Sequence, residues 1–311
     1  MKIYHNLKEY NKKNKSILTL GTFDGVHLGH LTILNKISKA AVNENLESIV
    51  LTFFPHPRMV LQKDSDIKLL NTIEEKAILL EKIGINNLII HPFDQDFSRL
   101  SAEEFVKNIL VDQLNIGKII IGHDHRFGRN RTATIDDLIE FGKVYNFEVE
   151  QISAEEINEV TISSTKIRNA LFEGNVSLAN QYLGYKYFLS GEVIKGMQIG
   201  RTIGFPTANL KIKEDYKLIP KEGVYIISSK IKDKTFFGMM NIGFKPTIPG
   251  ENYSLEVYFF NLNQDLYNET ITILFLERIR DEQKYDSIED LKIQLEKDKE
   301  FSLSFLNLEN E

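Results

Sequence analysis

The pattern of hydrophobic residues changes near residue 185, and this change limits the possible folds more than any other feature. Before it, short apolar runs alternate with stretches in which apolar residues recur every three or four positions. After it, short apolar runs follow one another, with glycine, proline and asparagine between them. The first pattern is typical of a doubly wound parallel sheet, and the second of a small antiparallel barrel or sandwich. Because 311 residues also exceed one typical core, the sequence predicts two domains, 1–184 and 185–311.

Short apolar runs mark the predicted strands of both domains. In the first domain, buried parallel strands are predicted at 16–20, 48–54, 87–93, 118–122 and 147–152. Two helices between them begin with capping boxes, at Thr72 and at Ser101. In the second domain, strands are predicted at 223–231, 234–243, 253–262 and 269–279, with a late helix at 287–301. Ligands of doubly wound sheets bind beyond the carboxyl ends of the strands, so we expect a site there in the first domain.

The composition narrows the class of protein. The formal net charge is −6, and the arginines and lysines are scattered except for the cluster RFGRNR at 126–131. We therefore expect neither a nucleic-acid polymer nor a membrane as partner, and a small phosphorylated ligand instead. Cysteine is absent, which removes disulfides and thiolate sites. No apolar run has the length of a signal peptide or of a spanning helix, so we expect a cytoplasmic protein.

Three glycines and two histidines follow the first of these strands, in GTFDGVHLGH at 21–30. Gly21 and Gly25 allow a sharp turn and the close approach of a ligand, and Gly29 lies at the start of the next helix. His27 and His30 share a face of a helical turn, where their imidazoles can donate to phosphate oxygens. The residues alone leave three interpretations open, which are a phosphate site, a zinc site and a purely structural turn.

A second polar motif of this domain is SSTKIR at 163–168. Ser163, Ser164 and Thr165 can cap a helix and donate hydroxyl groups. Arg168 follows one turn after Ser164 and can reach a phosphate as a bidentate cation. A plain N-cap followed by a solvated arginine is the alternative interpretation.

Together with IGHDHRFGRNR at 121–131 and FFPHPRMVL at 53–61, these motifs resemble the bacterial flavin adenylyltransferases of the nucleotidylyltransferase superfamily. The resemblance implies a Rossmann-like domain in which the FMN phosphate attacks the α-phosphorus of ATP and pyrophosphate leaves, with no covalent intermediate. It implies catalytic roles for His27, His30 and Arg168, and flavin contacts for Asp124 and His125. The family more often has phenylalanine where this chain has His125. The implied ATP- and phosphate-binding residues are Gly21, Phe23, Asp24, Gly29, Ser163, Ser164 and Thr165.

The second domain has its own glycine-rich stretch, GEVIKGMQIGRTIGFPTANL at 191–210. Gly196, Gly200 and Gly204 are spaced by four, which in a strand context indicates a tight-turning backbone able to wrap phosphates. Pro206, the first residue of PTAN, fixes its own φ and restricts Phe205, so that Thr207 and Asn209 are held on one face. Their hydroxyl and amide oxygens are hard ligands suited to Mg²⁺.

The stretches PTANL, EGVY, NIGFKPT and LEVYFF, in this order, resemble the riboflavin kinase domain. The resemblance implies a six-stranded antiparallel barrel with a C-terminal helix, and it makes Glu256 the general base toward the ribityl hydroxyl. Without it, Glu256 would be interpreted as an exposed strand carboxylate. Lys195 is a further candidate for offsetting phosphate charge, while Tyr258 and Asn268 stand where the family commonly has histidine and glycine. The implied ATP- and phosphate-binding residues are Gly196, Gly200, Arg201, Gly204, Pro206, Thr207 and Asn209, with Thr207 and Asn209 also holding Mg²⁺.

The sequence thus predicts a bifunctional enzyme of flavin cofactor biosynthesis. The second domain would convert riboflavin and ATP to FMN and ADP, and the first would convert FMN and ATP to FAD and pyrophosphate, both with Mg²⁺. Two alternatives remain at this point. One is a nucleotidylyltransferase acting on a pantetheine or nicotinate phosphate ester, and the other is a non-catalytic flavin-binding regulator. The oligomeric state stays open.

Overall fold

The computed structural model describes residues 1–11, 14–62, 65–123, 125–153, 162–196, 200, 203–244 and 253–308. The chain forms two compact units, Met1–Ser164 and Thr165–Glu311.

The first unit is built on a parallel six-stranded sheet. Its strands are β1 (Lys2–Tyr4), β2 (Ser16–Leu20), β3 (Glu47–Phe54), β4 (Asn87–Pro92), β5 (Ile116–Gly122) and β6 (Glu148–Ile152). They lie in the order β1-β4-β3-β2-β5-β6. Every neighbouring pair is parallel, which confirms the predicted doubly wound sheet. The unpredicted strand β1 has three residues at the sheet edge, too few for a periodic pattern.

Helices cover both faces of this sheet. The capping boxes predicted at Thr72 and Ser101 are both present. In β2 the side chain of Ile17 belongs to one hydrophobic cluster and that of Leu18 to another, because successive strand residues face opposite sides. The helices are α1 (Leu28–Glu44), α2 (Pro57–Leu61), α3 (Ile73–Ile83), α4 (Gln95–Ser98), α5 (Ala102–Glu104), which continues as a π-helix over Phe105–Val111, and α6 (Ile135–Tyr145).

The second unit contains a closed antiparallel barrel. Its strands are β7 (Phe188–Ile194), β8 (Ala208–Lys211), β9 (Gly223–Ile231), β10 (Lys234–Phe244), β11 (Tyr253–Phe259) and β12 (Thr270–Arg280). They lie in the order β10-β11-β8-β7-β12-β9. The structure thus decides between the barrel and the sandwich that the sequence left open, and it confirms six strands. Burial along β11 alternates as expected, with Leu255, Val257 and Phe259 inside.

The late helix, α9 (Ile288–Leu308), is present and extends seven residues beyond the predicted end at 301. Its last turns are anchored, because Ser302 and Leu306 are buried. Asp298 of α9 is also buried and receives a bidentate pair of hydrogen bonds from Arg280, with nitrogen–oxygen distances of 2.7 to 3.0 Å. This ion pair fixes α9 against β12.

Two helices precede the barrel, α7 (Ser164–Phe172) and α8 (Val176–Leu183). The backbone N–H of Lys221 donates to the carbonyl of Leu171 at 2.9 Å, and the Asn180 amide donates to the carbonyl of Phe275 at 3.0 Å. Both helices are therefore grouped with the barrel by their contacts. The domain boundary after residue 184 stays a prediction drawn from the sequence pattern.

Candidate active sites

The histidine loop, residues 21–27, connects the fully buried β2 to α1. Three of its residues have left-handed backbone angles, with φ of 44° at Phe23, 89° at Gly25 and 38° at Val26. Such angles cost little at glycine but strain a β-branched residue such as valine. Phe23 and Val26 are buried, so packing of their side chains enforces this backbone. The loop therefore has a conformation that local preference alone would not produce.

His27 is the N-cap of α1, and its Nδ1 accepts the backbone N–H of His30 at 3.4 Å. The two imidazole rings stack with centroids 3.7 Å apart and an interplanar angle of 16°. Because Nδ1 of His27 is an acceptor, the neutral ring carries its proton on Nε2. The predicted pairing of the two imidazoles at a helix N-terminus is thus present in the fold.

His30 is half-buried, and its ring also contacts the ring of Phe23 edge-on, with centroids 5.1 Å apart. Its Nδ1 is shielded from solvent and has no hydrogen-bond partner among the described residues. Burial, followed by the charges of His27 and Lys76, lowers the pKa of His30 well below its ordinary value. The imidazole of His30 is therefore neutral at pH 7 in the free protein.

Asp24 is buried and ties the histidine loop to the chain just before α3. Its Oδ1 accepts the backbone N–H groups of Leu70 at 2.9 Å and Asn71 at 3.4 Å. The hydroxyl of Ser164 donates to the backbone carbonyl of Asp24 at 2.9 Å. Asp24 and Ser164 therefore support the loop that carries the histidines. Direct contact of either residue with ATP stays a prediction.

Arg168 lies on α7 and is only 8% exposed, so the interpretation of a solvated charge is wrong. Ser163 is half-buried just before α7, and Thr165 is exposed in its first turn. The roles of these residues in binding phosphate stay predictions.

Lys76, on α3, is a residue that the motif analysis missed. It is only 4% exposed, and its Nζ donates to the carbonyl of Thr22 at 2.7 Å and to Oγ1 of Thr52 at 3.4 Å. A signal was present in the sequence, since Lys76 lies four residues before the buried Leu80 and thus on the apolar face of α3.

Of the two residues expected to contact flavin, Asp124 lies outside the described residues. The ring of His125 stacks near Phe127, with centroids 6.3 Å apart. That phenylalanine belongs to a row of aromatic side chains near the carboxyl ends of β3, β4 and β5. The row comprises Phe53, Phe93, Phe97, Phe105 and Phe127. Phe105 and Phe127 are buried in the hydrophobic core, whereas Phe53, Phe93 and Phe97 are half-buried.

The zinc interpretation of His27 and His30 finds no support. Across the described residues, no three His, Cys, Asp or Glu side chains are grouped so that they could hold a metal ion. In addition, Nδ1 of His27 is already occupied by a backbone N–H.

The second site forms in the barrel around the half-buried Glu256 of β11. Glu256 pairs directly with Asn209 of β8, so both side chains project from the same face. The hydroxyl of Thr207 donates to Oε2 of Glu256 at 3.5 Å, and the hydroxyl of Ser254 donates to Oε1 at 2.9 Å. The structure thus brings Thr207, Asn209 and Glu256 together as the resemblance implied, and it adds Ser254, which the sequence analysis missed.

At two positions of this site, glycine allows neighbouring atoms to approach more closely than a side chain would permit. A Cβ atom on Gly196 would lie 2.1 Å from Nδ2 of Asn209, and one on Gly200 would lie 2.1 Å from the carbonyl oxygen of Phe205. The carbonyl of the same Gly200 accepts the backbone N–H of Phe205 at 2.8 Å, which closes the turn. Phosphate contacts of Gly196, Gly200 and Gly204 stay predictions, and Arg201 lies outside the described residues.

A cavity of about 1050 Å³ opens beside this site, lined by Gly204, Pro206, Thr207, Tyr258 and Tyr267 among others. Thr207 therefore touches both the cavity and Glu256.

Tyr258 and Asn268, the two departures from the riboflavin kinase pattern, are both accommodated by the structure around them. Tyr258 packs its ring on Phe205, with centroids 5.0 Å apart. Asn268 adopts a φ of 63°, a left-handed angle that asparagine tolerates better than most residues and that glycine adopts freely. Lys195 is exposed, with its ammonium 5.9 Å from the ring centre of Tyr267.

Comparison with known protein families matches both units. Residues 9–166 match the family described as FAD synthetase, and residues 183–306 match riboflavin kinase. A protein of Buchnera aphidicola subsp. Schizaphis graminum, named bifunctional riboflavin kinase/FMN adenylyltransferase, is 40% identical over 98% of this chain and 97% of its own length. Proteins with the same name from Listeria monocytogenes and Bacillus subtilis are 38% and 37% identical, over 96% and 98% of this chain and 94% and 96% of their own lengths.

A solved structure from Streptococcus pneumoniae, named as a macrolide-efflux protein, superposes with a TM-score of 0.87 at 33% identity. The match covers 96% of this chain and 97% of that one. Among the described residues, no helix is long and apolar enough to cross a membrane. Both family models and the curated relatives agree with the family that the motifs resemble. The chain therefore belongs to the family of bifunctional riboflavin kinases/FMN adenylyltransferases.

Proposed function

We propose that this chain makes FAD from riboflavin in two steps, each at its own site. The barrel phosphorylates riboflavin with ATP to give FMN and ADP, and the α/β unit transfers the adenylyl group of a second ATP to FMN. The observation that carries the proposal is that each matched segment holds its own assembled polar site, Glu256 with Thr207 in one and the stacked His27 and His30 in the other.

In the kinase step, the carboxylate of Glu256 takes the proton of the ribityl 5′-hydroxyl. The oxygen then bonds to the γ-phosphorus of ATP, the bond to the bridging oxygen breaks, and ADP leaves. Hydrogen bonds from Ser254 and Thr207 hold both oxygens of the Glu256 carboxylate, and Thr207 also lines the cavity. The cavity, of about 1050 Å³, is large enough for the substrates.

The donor set of this site fits Mg²⁺. The hydroxyl oxygen of Thr207 and the amide oxygen of Asn209 are hard ligands beside a carboxylate, and Mg²⁺ usually takes only one or two protein ligands together with phosphates and water. Thr207 and Asn209 would hold the ion, which when bound neutralises charge on the ATP phosphates. The cavity beside Thr207 leaves room for those phosphates.

In the adenylyl transfer, a phosphate oxygen of FMN bonds to the α-phosphorus of ATP, and the bond to pyrophosphate breaks. The protein contributes positioning and charge stabilisation rather than a covalent intermediate. Nε2–H of His27 donates to phosphate oxygens, and the neutral imidazole of His30 does the same from its Nε2. The family resemblance assigns stabilisation of the leaving pyrophosphate to Ser164 and Arg168.

The alternatives have less support. A nucleotidylyltransferase acting on another phosphate ester would leave the riboflavin kinase match of residues 183–306 unexplained. A non-catalytic flavin-binding protein would not need the Glu256 carboxylate held by two hydroxyl groups. An efflux role, the one in the name of the pneumococcal protein, has no counterpart in the two matched families, which are both enzymes. The cytoplasmic location stays a prediction.

Incubation of the protein with riboflavin, ATP and MgCl₂, followed by chromatographic separation of the flavins, tests the proposal. We expect FMN and then FAD to form, with one ADP per FMN and one pyrophosphate per FAD. A parallel reaction started from FMN isolates the second step, and EDTA stops both steps if Mg²⁺ is required. Phosphopantetheine and nicotinate mononucleotide serve as competing substrates. Absence of both FMN and FAD, or faster turnover of a competing substrate, would contradict the proposal.

A further inference from the structure

Lys76 places a positive charge inside the α/β unit, directly beneath the histidine loop. Lysine is almost never fully buried without a charged partner, because burial removes its hydration. Among the described residues, both hydrogen-bond partners of its ammonium are uncharged oxygens, the carbonyl of Thr22 and the hydroxyl of Thr52. Its charge is therefore not neutralised by a contact ion pair.

The contact with Thr22 bears on the backbone that presents the histidines. The carbonyl of Thr22 accepts two hydrogen bonds, from Nζ of Lys76 at 2.7 Å and from Oγ1 of Thr52 at 3.3 Å. Thr22 immediately precedes Phe23, the first of the left-handed residues of the loop. A carbonyl fixed by two donors limits the alternative conformations open to a strained loop.

Four titratable groups share this region with Lys76. Asp24 lies on the loop, His27 and His30 lie at the start of α1, and Glu75 precedes Lys76 on α3. The Glu75 carboxylate caps α3 by accepting the backbone N–H of Thr72 at 3.0 Å. Burial lowers the pKa of Lys76 to about 8, and the Asp24 carboxylate opposes that shift. The charge of Lys76 in turn contributes, after burial and His27, to the low pKa of His30.

We propose that Lys76 is a positioning residue for the adenylyl transfer, which fixes the histidine loop through the Thr22 carbonyl and adds a positive charge near His27 and His30 that has no contact ion pair among the described residues. An incoming polyphosphate is the ligand that such a charge favours. The same charge disfavours protonation of His30, so the imidazole stays a neutral donor to phosphate. This inference rests on the proposed FAD-forming activity of the same site.

Lys76→Met tests the inference, because methionine keeps the length of the side chain and removes its charge and its donor. Lys82→Met is the matched control, since Lys82 lies on the same helix and is exposed. We expect kcat/KM for conversion of FMN to FAD to fall at least tenfold in Lys76→Met, while riboflavin phosphorylation stays within twofold. We also expect the imidazole of His30 to titrate at higher pH, as followed by ¹H–¹⁵N NMR of the histidine rings. FAD formation within twofold of the control, or an unchanged titration of His30, would overturn the inference.

The wild-type protein gives a second measurement that does not depend on whether Lys76→Met folds. FAD formation, divided by FMN formation at each pH, should fall as the pH rises through about 8, where Lys76 loses its proton. A ratio that stays constant from pH 7 to pH 9.5 would count against a role for the charge. If the wild-type protein makes no FAD at all, the proposed function fails instead, and the NMR titration of His30 still decides whether Lys76 acts on that imidazole.

Discussion

The rings of His27 and His30 stack 3.7 Å apart, and Nδ1 of His27 accepts the backbone N–H of His30. Each ring therefore restricts the other, and the helix cap fixes the tautomer of His27. The two imidazoles form one unit at the N-terminus of α1, the end of a helix that favours anions.

Replacing His30 with alanine should remove FAD formation and spare FMN formation. The variant loses one donor to phosphate and the ring that orients His27, and loss of such a donor typically costs about 10²–10³ in rate. The two flavin products, measured separately by chromatography, check the prediction. His5→Ala, at an exposed histidine, is the control. Loss of both activities in a folded His30→Ala protein would argue against two separate sites.

Replacing Glu256 with glutamine should have the opposite effect. Glutamine keeps the size of the side chain but cannot accept the proton of the ribityl hydroxyl, and loss of a general base typically costs about 10²–10⁴ in rate. We expect FMN formation from riboflavin to disappear and conversion of FMN to FAD to continue. Glu192→Gln, at an exposed carboxylate on β7, should behave like the wild type. Undiminished FMN formation in Glu256→Gln would remove this residue from the mechanism.

Ser254→Ala should slow the kinase step by lowering kcat. The Ser254 hydroxyl donates to Oε1 of Glu256 at 2.9 Å, and a hydrogen bond to a charged group contributes about 1.5–3 kcal/mol, or roughly ten- to a hundredfold in rate. Because Ser254 orients the base rather than the substrate, KM for riboflavin should change little. Ser254→Thr retains the hydroxyl and should recover most of the rate. An equal loss in Ser254→Thr would show that packing, not the hydrogen bond, is what matters.

The strands and the fold class could be predicted because hydrophobic periodicity is a local property of the chain. The run at 223–231 matches β9 residue for residue, whereas β1 at the sheet edge was missed because only three residues form it. The predicted α9 ended too early. Ser302 is polar, so the sequence does not reveal that this residue is buried and that its hydroxyl donates to the carbonyl of Asp298.

The site residues missed from the sequence share a different cause. Ser254 meets Glu256 because both project from the same face of β11, and Lys76 meets Thr22 across 54 positions of the chain. Ser254 is not unusual within its own segment, and Lys76 differs from its neighbours only as a lysine on the apolar face of α3. Motif resemblance assigns roles to residues one by one, whereas supporting hydrogen bonds depend on packing and register, which appear only in the folded chain.

Gly196→Ala should impair the kinase and leave FAD formation from FMN intact. The new methyl group would lie 2.1 Å from Nδ2 of Asn209, so the Asn209 side chain must move away from the position facing Glu256. KM for MgATP should rise together with a fall in kcat, as steady-state kinetics of FMN formation would detect. Gly204→Ala is the contrast, because its Cβ meets nothing within 4 Å and only its φ of 87° opposes the change. A Gly196→Ala protein with wild-type kinetics would show that Asn209 does not need this position.

The stability of the α/β unit should increase between about pH 8 and pH 10.5 through Lys76. The pKa of this lysine falls from an ordinary value of 10.5 to about 8 on folding, so between these values the unfolded chain binds more protons than the folded one. The free energy of unfolding therefore rises with pH in this window, by at most about 3 kcal/mol from this residue. Urea unfolding at pH 7.5 and pH 10, followed through the NMR signals of β2, would measure the rise. Lys82→Met should retain it and Lys76→Met should lose it, whereas the same rise in all three proteins would place its origin elsewhere.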